Sequence, residues 1–104
     1  MVFAAEELMD EQTRIDTLMR EAVRRAGQGC GPDFERQLDA CLRSLRPMLC
    51  ADDLAAAADA FEAAKRVMTS ADPEAPLLML AMAQKTLNGV LRRQAHNLRL
   101  RTAA

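Results

Sequence analysis

Tryptophan and tyrosine are missing from this sequence, and Phe3, Phe34 and Phe61 are its only aromatic residues. A core built from it must therefore draw on Leu, Ala and seven Met residues, which fill space but lock few rotamers. The scarcity also leaves its cations without aromatic neighbours on which bases would stack. Histidine is nearly absent too: His96 stands alone, so no multi-His metal site can be assembled within one chain. Cys30, Cys41 and Cys50 form no CxxC pair and match no metal-ligand spacing, so they read as free thiols, with Cys30 expected to be the most exposed. No long hydrophobic run occurs. The longest, Leu77 to Ala83, falls far short of the roughly twenty residues that a spanning helix needs. The opening Met1-Val2-Phe3-Ala4-Ala5-Glu6-Glu7 is acidic where a secretory leader is basic, and with an odd cysteine count this sets the expectation of a reducing, cytoplasmic setting. Alternation of period two is also lacking, which excludes a strand-built fold.

What is present is a chain of 104 residues, half of them apolar and 28% charged, suited to one small helical domain with one core. The expected class is all-α, a three- or four-helix bundle with a long C-terminal helix, over residues 1-104. A first helix is predicted over about 4-26, burying Leu8, Ile15, Leu18, Met19, Ala22 and Ala26 and turning Glu7, Glu11, Arg14 and Arg25 outward. Gly27-Gln28-Gly29-Cys30-Gly31 ends it. Pro32 and Asp33 open a second helix over 33-46, with Phe34, Leu38, Cys41, Leu42 and Leu45 inside, and Pro47 limits it. Asp52 or Asp53 is the expected N-cap of a third helix, 53-69, carrying Leu54, Ala58, Phe61, Ala64 and Met68. The fourth, 73-101, starts at Pro73.

That fourth helix is apolar on more than one side. At 100° per residue Leu77, Leu80, Leu87, Leu91 and Leu98 share a face, while Leu78, Met79, Met82 and Val90 point well away from it. Its beginning needs cover on two sides, which leads to the expectation of a homodimer. The expected interface takes in Leu77, Leu78, Met79, Leu80, Met82, Leu87 and Val90. From residue 85 onward no acidic residue occurs, although the net charge is -1, and Lys85, Arg92, Arg93, His96, Arg99 and Arg101 form a basic set. Cations there complement the negative end of the helix, and they also suit an acidic protein surface or, less readily, nucleic acid or another anionic surface.

Other patterns support less. Gly27 to Gly31 before Pro32 has the look of a phosphate-cradling loop, yet no strand precedes it, no Lys-Ser/Thr follows, and Asp33 and Glu35 put negative charge where the phosphate would sit, so it reads as a helix connection. The acid pairs Glu6-Glu7 and Asp52-Asp53 fall at helix starts, where the backbone dipole explains them without catalysis. Neither an enzyme nor a bound cofactor or metal is expected.

Two local resemblances stand out. Ala95-His96-Asn97-Leu98-Arg99 resembles the phosphorylated stretch of histidine phosphotransfer domains, Ala-His-x-Leu-Lys then Gly, which implies a phosphate-carrying His96 beside Arg99; Leu100 stands in place of the Gly. A helix, then Asp72-Pro73-Glu74-Ala75-Pro76, then a Leu-rich helix resembles the layout of type III secretion needle subunits. That resemblance implies packing of the last helix against its counterparts through Leu80, Leu87 and Leu91, although the Gln- and Tyr-rich stretch that follows the turn in that family is missing.

The residues themselves point to a small cytosolic, bacterial-type adaptor, chaperone-like or regulatory, that binds another protein through the apolar start and basic end of its last helix.

Overall fold

Apolar residues at spacings of three and four wind the chain into four helices, seen in a computed structural model that describes residues 5–103: α1 (Ala5–Arg24), α2 (Pro32–Leu45), α3 (Ala51–Thr69) and α4 (Glu74–Ala103). Among the described residues there is no strand. The connections are short, so each helix runs back along its predecessor. α1 packs against all three others, and α3 does the same. α2 and α4 lie on opposite sides of this α1–α3 pair and do not pack on each other. Leu8, Ile15 and Met19 of α1, Leu38 and Leu45 of α2, Met68 of α3, and Leu80, Leu87 and Leu91 of α4 are enclosed almost completely in the common core. The most extensive packing is between α3 and α4. Ala57, Ala60, Ala63 and Ala64 on the buried side of α3 explain it, since small side chains let two helix axes approach.

The helix ends follow local chemistry. Gly31 precedes Pro32 at the first position of α2, where a missing N–H costs nothing, and Asp33 and Glu35 lie in that first turn. α2 stops at Leu45, and the amides of Met48 and Leu49 both bond the Leu45 carbonyl, at 2.9 and 3.0 Å, making a tight turn around Pro47. The chain re-enters helix at once. Cys50, and not Asp52 or Asp53, is therefore the N-cap of α3, and the two aspartates sit inside its first turn, where their charge still complements the dipole.

α1 ends at Arg24, earlier than its apolar spacing suggests, because the glycine loop has its own task. The Gly27 amide donates to the Val67 carbonyl at 2.9 Å and the Gly29 amide to the Met68 carbonyl at 2.7 Å, while Ser70 N–H takes the Arg66 carbonyl. Carbonyls of the last turn of α3, orphaned by helix geometry, are thus satisfied from a neighbouring loop. Gly27 and Gly29 have φ of +76° and +94°, a region that only glycine enters cheaply.

One charge moves inside. Glu11, expected to face outward, is 8% exposed, because it falls between Leu8 and Ile15 at the spacing that keeps a residue on the buried face of α1. Arg14 approaches one carboxylate oxygen at 3.3 Å, and the other has no hydrogen-bond partner among the described residues. On the α2–α3 side, burial pulls the Lys65 ammonium down, but the Glu62 hydrogen bond and the charges of Glu62, Asp39 and Glu35 outweigh it and leave Lys65 above its ordinary value.

Gly27→Ala is expected to lower the unfolding free energy by about 1–2 kcal/mol in a urea titration, since the new methyl must adopt a left-handed conformation. It would also press within 3.3 Å of the Ser70 carbonyl oxygen. Leu87→Ala, at a site with no exposure, is expected to cost about 2–5 kcal/mol by the same measurement.

Candidate functional site

α4 touches α3 along one flank and α1 along the other, and the arc between them facing outward is left bare. From Ala75 to Met82 that arc is apolar. Leu78 is 65% exposed, Met79 51% and Met82 64%, values far above those of the Leu residues on the core side. Ala75, also exposed, adjoins them, since positions three, four and seven apart along a helix are neighbours. Beside this stripe runs an open cleft of about 360 Å³ between α3 and α4, lined by Asp59, Glu62, Ala63 and Arg66 from α3 and Pro76, Met79 and Ala83 from α4. Its floor is apolar and its α3 rim carries both signs of charge.

Of the residues expected at an interface, Leu78, Met79 and Met82 lie on the surface and Leu77 is half-buried. Leu80, Leu87 and Val90 are enclosed by their own chain, at 1%, 0% and 4% exposure, and are not available to a partner. Val90 is the instructive case, because its angle on α4 sets it apart from the Leu face. It lies one turn before Gln94, whose side-chain amide donates to the Met48 carbonyl at 3.0 Å, so the turn between α2 and α3 closes over that flank.

Lys85, Arg92, Arg93, His96, Arg99 and Arg101 are all exposed. Lys85, Arg92, His96 and Arg99 share one stripe along the outer side of α4, whereas Arg93 and Arg101 project elsewhere on the wheel. None of the ion pairs among the described residues involves α4; those present are held within three or four residues along α1, α2 and α3. Leu100, 57% exposed, extends the outer arc beyond the cations.

The thiols differ from expectation. Cys50 is the exposed one, Cys30 packs partly against the core, and Cys41 is fully enclosed. Burial raises the Cys30 thiol, as does the nearby Glu35 charge, against the opposing pull of Lys65 and Arg25. Burial also raises Cys41, helped by Glu11 and opposed by Arg14. Among the described residues, no group of three or more His, Cys, Asp and Glu is placed to hold a metal ion, and no helix is long and apolar enough to cross a membrane. No protein-family model, curated protein or solved structure matches this chain.

Sequence reasoning found the exposed apolar stripe from its angle alone. It missed the α3 rim of the cleft, whose residues come from a different helix and share no sequence pattern with α4.

With a disulfide reagent at neutral pH, Cys50 is expected to react first, Cys30 more slowly, and Cys41 only under unfolding conditions, since reaction needs both access and thiolate. Peptide mapping after timed quenching measures the order.

Proposed function

We propose that this protein is a non-enzymatic interaction module, a small helical bundle whose α4 presents an apolar stripe for another polypeptide and a basic second half that orients an acidic surface. The supporting observation is the exposure of Leu78, Met79 and Met82 side by side on the outer arc of a helix whose other side is covered by α1 and α3. Contiguous large apolar side chains lose free energy to water until something covers them. Two of the three are Met, whose flexible thioether adapts to the shape of a partner. Charges next to such a stripe add steering and orientation, not bulk affinity. This surface supports an adaptor, chaperone-like or regulatory role.

A photo-activatable side chain placed at Ala75 is expected to attach covalently to a bound polypeptide in cells that make the protein. Leu78→Glu with Met82→Glu should abolish that adduct while the far-ultraviolet circular dichroism stays unchanged. Each apolar anchor contributes about 1.5–3 kcal/mol on burial, so the pair of substitutions weakens association on the order of 100-fold or more. A probe at Ala75 that captures no polypeptide overturns the reading.

A second reading rests on the unpaired cations of α4, which suit nucleic acid or another anionic surface. It predicts binding that weakens steeply with salt. Neutralising a phosphate-contacting residue among Arg92, Arg93, Arg99 and Arg101 should reduce the slope of log affinity against log salt by about one unit. Absence of binding to duplex DNA and acidic vesicles at low salt removes this reading.

A further inference from the structure

We infer that the polypeptide covering this face is a second copy of the same chain laid antiparallel along α4, with Glu74 of each copy beside Arg92 of the other; the inference rests on reading the outer arc as an interaction surface.

Gly89 supplies the first argument. It lies inside α4, where glycine is less favourable than alanine. Its backbone is not left-handed, and an added Cβ would meet only the Arg93 guanidinium at 3.6 Å, an ordinary contact with a mobile side chain. Nothing in its own chain requires a glycine there. Gly89 falls seven residues after Met82 and fourteen after Ala75, so the three share one face, within about 40° of each other. Thr86 stands on the same arc. Large apolar residues up to Met82 and the small Thr86 and Gly89 after it let one helix lay its Leu78 onto the Thr86–Gly89 stretch of another running the opposite way, with the two Met82 side chains meeting near the middle.

The order of charge supplies the second argument. Asp72 and Glu74 stand at the start of α4, and after Glu74 the helix carries Lys85, Arg92, Arg93, Arg99 and Arg101 with no acid. Glu74, Lys85 and Arg92 lie on one flank of the outer arc, within about 20° of each other. In a parallel pair about a two-fold axis this flank meets the opposite flank of the partner helix, which carries Met79, Ala83 and Val90 and no acid, so Glu74 and Arg92 gain no opposite charge. In an antiparallel pair like flanks run head to tail, and a two-fold axis at Ala83 sets Glu74 opposite Arg92 twice. All these side chains are exposed, and none is in an ion pair within its own chain among the described residues. The overlap, from residue 74 to 92, runs about 28 Å along the helix.

Sedimentation equilibrium of the full chain is expected to give twice the 11.5 kDa of one copy. Glu74→Arg alone and Arg92→Glu alone should each weaken self-association about tenfold, and both together in one chain should recover it to within about threefold. Circular dichroism on each variant checks folding. Direction is read separately, in chains with Cys30→Ser and Cys50→Ser. A mixture of Ala75→Cys and Arg93→Cys copies should form a mixed disulfide, while Ala75→Cys alone should form none. A ready disulfide from Ala75→Cys alone, or a double charge swap no better than the singles, overturns the antiparallel arrangement. A wild-type mass of one copy overturns the second-copy inference altogether. In that case the interaction reading is judged independently by the Ala75 photo-adduct, standing if the captured chain is a different polypeptide and falling if there is none.

Discussion

Two neighbours cannot cover a helix on all sides, and α4 has two. α1 and α3 occupy adjacent flanks, and α2, which would be the remaining candidate, is held on the far side of that pair. The burial pattern of α4 follows from this geometry: Leu80, Leu87, Leu91 and Leu98 fill the shared core, Val90 is covered at the edge of it, and Leu78, Met79 and Met82 are left in water. The cations of α4 are the polar counterpart of the same fact, since none of the ion pairs among the described residues involves that helix.

The end of the molecule where α4 starts is fixed by a second constraint, the disposal of orphaned carbonyls. α3 stops at Thr69, and amides from the Gly27–Gly29 loop meet the carbonyls of its last turn. The glycines that superficially suit phosphate are thereby spent on a helix terminus. This junction ties the end of α1 to the end of α3 and so holds the two helices that flank α4. The α2–α3 turn plays the matching part further along, accepting the Gln94 side chain and closing over Val90.

Much of this is legible in the sequence. Four helical stretches and an all-helical class follow from periodicity together with Pro32, Pro47 and the glycine run, since those residues limit where helices start and stop whatever surrounds them. The angle of Leu78, Met79 and Met82 away from the Leu face was equally readable. Other features were not. Glu11 carries a charge, and charge argues for water, yet its position between Leu8 and Ile15 carries it inside. Asp52 and Asp53 are good capping residues, but the turn after Pro47 starts α3 ahead of them. Cys50 is more exposed than Cys30 because the glycine loop folds onto α3 and not away from it.

By itself, then, the order of residues decided which segments are helical, which direction each side chain takes from its axis, and that positive charge accumulates along the second half of α4 with no acid to answer it. Only the tertiary structure decided how wide an arc of each helix is covered. Direction is a local property of 3.6 residues per turn, whereas coverage depends on where the other helices stand, and that depends on contacts between residues far apart in the chain. Val90, Glu11 and the α3 rim of the cleft all sit where those two kinds of information part.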